Sequence, residues 1–309
     1  MNAGTIKRNT PRFRRVWKYR ALYVLIFVGV AYFFLFKYAT LYGLLIAFKN
    51  YKFKLGIMGS EWVGLKNFKR ALSNPDVPRV VLNTVTISFG KLAFGFPAPI
   101  ILALLLNELR SRRFLKVAQS VLYLPYFISW IVMAGICTNL FSSTNGVVPK
   151  LMAAAGIKMP SLIADPQYFR GFLYGSEVWK NVGWNTIIYM AAITGIDPEL
   201  YEAGRMDGCN RFQQAIHITL PCIAPTVVIL LILNIGGIMN AGFDQIFNLS
   251  SSRTKTVSEI IDTYLYDLGL ISGKYEYATV IGMLKSIINA LLLFSTNFIA
   301  GKITETSLF

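Results

Sequence analysis

The 309 residues are 54% hydrophobic and hold 31 Lys and Arg against 15 Asp and Glu. So apolar a chain is a polytopic membrane protein, with length for one transmembrane domain and none to spare for a nucleotide-binding domain. The formal charge of +16 lies between apolar runs and not on a polar domain, which argues against nucleic-acid binding and for basic loops facing the cytoplasm.

Residues 1–20 form a basic tail, with Lys7, Arg8, Arg12, Arg14, Arg15, Lys18 and Arg20 and no acid among them. The apolar run 21–48 is far longer than the core of a cleavable signal and lacks a small-residue cleavage site, so a retained first span with a cytoplasmic tail is expected. Segment 49–80 is polar and contains Trp62-Val63-Gly64-Leu65-Lys66-Asn67-Phe68, whose aromatic ends suit a membrane interface. Further apolar runs place spans at about 82–106, 117–141, 169–196, 222–245 and 277–301. The fold class is therefore all-α integral membrane, with six transmembrane helices and both termini cytoplasmic. The short loop after the second run carries Arg110, Arg112, Arg113 and Lys116 against Glu108, which marks it as cytoplasmic. Segment 49–80, assigned to the outside, also holds seven cations, so orientation rests on the short loops and the tail. Prolines interrupt the second run at Pro97-Ala98-Pro99 and the third at Leu124-Pro125-Tyr126, which a membrane helix tolerates where neighbours satisfy the freed carbonyls.

Polar residues within spans are costly and usually face the bundle interior or a water-filled path. The candidates are Lys91, Lys180, Asn181, Trp184, Asn185, Asn234, Asn240, Asp244, Gln245, Lys285 and Asn289. Lys285 with Asn289, Asn240 with Asp244, and Lys180 with Trp184 are each four apart, hence on one helix face. An aromatic ring beside a hydrogen-bond donor suits a sugar, whose C–H face stacks while its hydroxyls bond. Interhelical bonding and snorkelling are the plain alternatives. Three in-span lysines, Lys91, Lys180 and Lys285, motivate an anionic, uronate-type substrate. Asp244 is read as nearly the only acid in a span, and Gly236-Gly237 as a close-packing site. Cys137, Cys209 and Cys222 have no metal-ligand spacing and His217 stands alone, leaving no basis for hydrolase or metalloprotease chemistry. The Gly-Lys pairs at Lys91, Lys274 and Lys302 lack a following Ser or Thr, so the chain carries no phosphate-cradling loop.

Between the fourth and fifth runs lies the longest polar stretch of the second half, Asp197–Pro221. Its local chemistry spells helix, break, helix. Asp197 caps, Pro198 fits the first helical position, and Glu199 and Glu202 favour the positive helix end. Gly208 suits the stop, and Asn210 caps a second short helix with Phe212, Ile216 and Ile218 on its apolar side. Leu220-Pro221 closes the polar stretch.

This loop resembles the EAA loop of type I ABC importer permeases, whose pattern is E-A-A, three residues, Gly, nine residues, Ile, one residue, Leu-Pro. Here Glu202-Ala203-Gly204, Gly208, Ile218 and Leu220-Pro221 meet the spacing throughout, with Gly204 in place of the usual Ala. The run Leu41–Lys49 and the Trp62 segment resemble an oligosaccharide-importer subgroup. The resemblance implies a type I permease fold and no covalent chemistry in this chain. It implies that the loop docks on a separate ATPase through Glu202, Ala203, Gly204, Arg205, Asp207, Gly208, Leu220 and Pro221. Implied partners are a second homologous permease subunit, two ATPase subunits that hold ATP and Mg, an extracytoplasmic solute-binding protein and an oligosaccharide. A non-sugar permease or an ion-coupled carrier stands as the alternative; a carrier would more often show inverted repeats and buried acids.

Overall fold

The computed structural model describes residues 19–304; the basic tail through Lys18 and the residues after Thr304 lie outside them. The first helical run, α1 (Arg20–Phe48), is apolar on every side and is exposed almost throughout. Its exit carries a short antiparallel pair, β1 (Lys49–Asn50) with β2 (Glu61–Trp62). There Trp62 stacks on Phe48 with centroids 5.5 Å apart, and the Asn67 amide donates to the Ala47 and Lys49 carbonyls at 2.9 Å. The Trp62–Phe68 segment thus folds back on the end of α1.

Helix α2 (Asp76–Asn107) begins six residues before the apolar run does, and it continues through the Pro97 step. The third run is broken as its proline indicates: α3 (Arg112–Phe127) and α4 (Trp130–Phe141) meet at 104°. Helix α5 (Pro166–Thr194) is capped by Asp165, with Pro166 in its first turn. By length and composition, among the described residues, α1, α2 and the later helices over Arg211–Gly236 and Tyr275–Ile299 can each cross a membrane, and the bent pair makes a fifth crossing when taken as one span. With 29 residues α5 is long enough but more polar, because Arg170, Glu177 and Lys180 lie on it.

After α6 (Pro198–Met206), α7 runs without interruption over Arg211–Gly236. This corrects two expectations. The second helix of the polar stretch, expected as a short helix of the loop, joins the fifth span through a π turn at Ala215–Thr219. Pro221 has no N–H to give and its ring crowds the carbonyl four residues back; a widened turn just before it relieves both. The fifth span also ends at Gly236, not near Gln245. The chain then turns through Gly242, at φ +89°, into the separate short helix α8 (Phe243–Leu249). Asn240 and Asp244 therefore do not share a helix face. Helix α9 (Ile261–Tyr266) and α10 (Tyr275–Thr304) complete the fold.

Buried apolar side chains form three clusters along the bundle. One gathers Val80, Ile261 and Val280, a second Ile87, Phe169 and Ile246, and a third Ala103, Tyr189 and Ile223 at the end bearing the 197–221 loop. Helices touch most closely at glycines. A Cβ on Gly183 would collide with the Leu122 backbone, and one on Gly236 would lie 2.5 Å from the Leu293 methyl. Close packing is thus the role of Gly236, while Gly237 ends α7.

Candidate functional site: a polar intramembrane cavity and a capped projecting loop

The 197–221 loop is built as its sequence chemistry dictates. The Asp197 carboxylate accepts the Glu199 N–H at 3.0 Å, satisfying an orphan donor of α6. At the other end Gly208 takes φ +79°. The Cys209 N–H then reaches the Gly204 carbonyl at 2.9 Å and the Gly208 N–H the Arg205 carbonyl at 3.1 Å, a complete Schellman closure. Asn210 and Gln213 form a capping box on the next turn. Tyr201 and Thr219 hydroxyls meet at 2.9 Å, pinning α6 to the start of α7. Gly204 is buried, and a Cβ there would lie 2.7 Å from Ile218 Cδ1. The glycine at this position accommodates close approach of two helices and is not merely a loosened turn.

What the loop presents is mixed. Glu202, Ala203, Arg205, Asp207 and Gly208 are exposed, and among the described residues no ion pair involves Glu202, Arg205 or Asp207. Leu220 and Pro221 are exposed at the base. Met206 is 89% and Phe212 74% exposed; the sequence pattern placed Phe212 on the second helix's apolar side but did not single out Met206. Arg211 bonds Glu108 at 2.8 Å and so ties the loop to the turn between α2 and α3. An open cleft lined by Glu108, Arg110, Tyr201, Glu202, Arg205 and Arg211 lies between them.

Within the bundle, α2, α5 and the end of α7 enclose a polar cavity of about 180 Å³. Lys91, Glu177, Asn181, Asn185, Asn234 and Asn240 lie on its wall. Glu177 escaped the sequence reading, and Asp244 is not the principal acid within a span. The signal was present, since Glu177 and Asn181 are four apart on one helix; the amide donates to the Glu177 carboxylate at 2.6 Å. Glu177 also faces Lys91 Nζ at 3.4 Å, and Lys91 donates to the Ala241 carbonyl at 2.7 Å.

Six sequence candidates sit elsewhere, four of them as ties between elements. Lys180 is buried, and its ammonium donates to the carbonyls of Pro125, Tyr126 and Ile128 at 3.3, 2.7 and 2.5 Å. A lysine has three N–H donors, so all are engaged in closing the α3–α4 bend. Gln245 is fully buried on α8 and donates to the Leu173 carbonyl and the Ser176 hydroxyl at 2.8 and 2.9 Å. Lys285 pairs with Asp262 at 2.6 Å, and Asn289 accepts the Met239 N–H at 3.2 Å. Each of these ties elements together and none lies on the polar cavity's wall. Trp184 stacks on Tyr126 at 4.4 Å with planes 4° apart, beside Phe127. A second cleft there, of about 600 Å³, is lined by Tyr126, Phe127, Trp130, Lys180, Phe243 and Asp244, so Lys180 and the Tyr126 ring that stacks on Trp184 border the same space.

A helical bundle broken by one sharp bend, with a capped loop at one end and a polar cavity between its helices, has the make-up of a membrane transport permease. Residues 95–305 match the family described as binding-protein-dependent transport system inner membrane component, and the chain belongs to it. Protein LplB of Bacillus subtilis (strain 168) is 42% identical over 93% of this chain and 91% of its own length. The polygalacturonan/rhamnogalacturonan transport system permease protein YteP of the same organism is 40% identical over 93% and 90%. Among solved structures, a chain of a bacterial alginate ABC transporter in complex with an alginate pentasaccharide-bound periplasmic protein superposes with a TM-score of 0.88, at 33% identity over 96% of this chain and 99% of that one. The fold is that of a type I ABC importer permease.

Proposed function

We propose that this chain is one of two permease subunits of an importer for oligosaccharides derived from acidic polysaccharides, with both termini cytoplasmic. The observation that carries the reading is the 197–221 loop, a doubly capped projection whose protruding groups, Glu202, Arg205, Asp207 and Met206, have no side-chain partner among the described residues. Such a surface suits a groove on a separate ATPase that holds ATP and Mg. Movement of that groove would reach the bundle directly, because the loop's second helix is the start of α7. Similarity to YteP and to the alginate transporter supports the substrate class and delivery by a solute-binding protein. The Asn-rich cavity supplies donors and acceptors for sugar hydroxyls. The chain performs no bond-breaking step. The test is reconstitution with the ATPase, the second permease and the binding protein. Glu202→Lys is expected to weaken ATPase co-purification or to uncouple hydrolysis from uptake by tenfold or more. Wild-type association with wild-type uptake would overturn the coupling role.

A further inference from the structure

Three in-span lysines motivate an anionic substrate, but the fold leaves one of them available. Lys180 has spent its three donors on backbone carbonyls. Lys285 is held at 2.6 Å by Asp262, away from the polar cavity. Lys91 differs in both respects: it lines the cavity, and its carboxylate partner stands at 3.4 Å. A fully formed ammonium–carboxylate bond is about 2.7–2.9 Å long, the range that Lys285–Asp262 and Lys255–Asp267 reach here or fall just below.

We infer that Lys91 is the carboxylate-binding group of this subunit, and that Glu177 is a built-in counter-ion whose place the substrate's carboxylate takes. This rests on the importer reading above. The ammonium is fixed by one strong bond, to the Ala241 carbonyl at 2.7 Å. Gly242 makes room for it, since a Cβ there would collide with Nζ. The remaining donors face Glu177 and the cavity. Glu177 has its own second anchor, the Asn181 amide at 2.6 Å on its other oxygen, so it stays satisfied when Lys91 turns to a guest. An empty cavity with a bare lysine would carry the full cost of an unpaired charge in a low dielectric. One with a tightly closed pair would give an incoming uronate nothing. A loose pair avoids both, and the flanking Asn185, Asn234 and Asn240 then bond hydroxyls.

The experiment uses the complete reconstituted transporter, with a galacturonate trisaccharide and its neutral methyl ester as probes. Glu177→Gln removes the competitor and is expected to lower the half-saturating concentration of the charged sugar several-fold, with a smaller effect on the ester. The charge-neutral double variant Lys91→Gln/Glu177→Gln leaves no lone buried ion and is expected to reduce the ratio of charged to ester uptake at least tenfold. Ratios within twofold of wild type in both variants overturn the inference and leave the importer reading intact. Failure of the wild-type complex to take up either probe would instead overturn the reading on which it rests. If the double variant does not assemble, Glu177→Gln alone decides: an unchanged half-saturating concentration for the charged sugar overturns the inference.

Discussion

At the scale of single residues the bundle is governed by how close two backbones come. Gly183 lies against the Leu122 carbonyl, and backbone cannot move aside as a side chain can. Gly183→Ala is therefore expected to destabilise the protein by about 1–3 kcal/mol, read as a lower melting temperature in detergent. Gly175 sits on the same helix with nothing within 4 Å of its notional Cβ, and Gly175→Ala should leave the melting temperature unchanged or raise it slightly. Equal effects at the two positions would contradict the packing account. Gly204 is an intermediate case, because the obstructing atom is the rotatable end of Ile218. Gly204→Ala exchanges a repacking cost for a helix-propensity gain of up to about 1 kcal/mol, so near-wild-type stability is expected there. The residues legible in the sequence were those whose chemistry is local: Asp197, Gly208 and Asn210 act within a few positions of themselves. Lys91 and Glu177 are 86 positions apart in the chain, and no short-range pattern could show that one neutralises the other.

At the scale of elements α3 and α4 bend by 104° at the break between them. A proline announced the break, but what stabilises it comes from α5. Lys180 gathers three carbonyls of the bend, of which only that of Pro125 also accepts a backbone N–H across the turn, from Ile128, and its ammonium lies 5.5 Å from the Tyr126 ring centre and 5.6 Å from that of Trp130. Lys180→Met keeps the apolar stem and removes every donor, at a cost of several kcal/mol from carbonyls left dry. The expected outcome is faster proteolysis near residues 124–129 and a lower melting temperature; an unaltered cleavage pattern would show the bend to be self-supporting. Span lengths were readable wherever apolarity was continuous. The fifth span's end was not, because Ile238, Met239, Ala241 and Phe243 keep the run apolar past the Gly236-Gly237 stop. Beyond it, segment 254–259 is clamped by Asn83, Arg170 and Arg79, and Lys255 closes on Asp267 and Glu259. The Asp267 hydrogen bond, with help from Glu259, raises the Lys255 pKa above its ordinary 10.5. A raised folded-state pKa stabilises fully below the unfolded value and is lost as pH climbs through the folded one. Protease resistance of this segment should accordingly stay level from about pH 6 to 9 and fall only in stronger alkali.

At the scale of the whole molecule, the break after α7 and the continuity before it give one helix two different ends. Its start is fused to the projecting loop, stitched by Tyr201–Thr219 and tethered through Arg211 to Glu108. Its finish loosens into the Gly237–Gly242 turn, whose Ala241 carbonyl holds Lys91. A displacement applied to the loop would, on the proposed coupling role, reach the wall of the polar cavity along this one helical rod, whose Ile223 carries the motion past the cluster it forms with Ala103 and Tyr189. On the proposed coupling role, the loop's grip on the ATPase depends on burying Met206 and on matching its charged neighbours. Burying a Met side chain contributes about 1.5–3 kcal/mol. Met206→Glu changes nothing within the chain, because the side chain is almost wholly exposed. It should leave folding and the melting temperature of the isolated subunit at wild-type values, while uptake by the assembled transporter falls by roughly tenfold for each 1.4 kcal/mol of docking energy lost. Wild-type uptake by a Met206→Glu complex would mean that the ATPase grips some other surface, and that the rod delivers its motion from a different point.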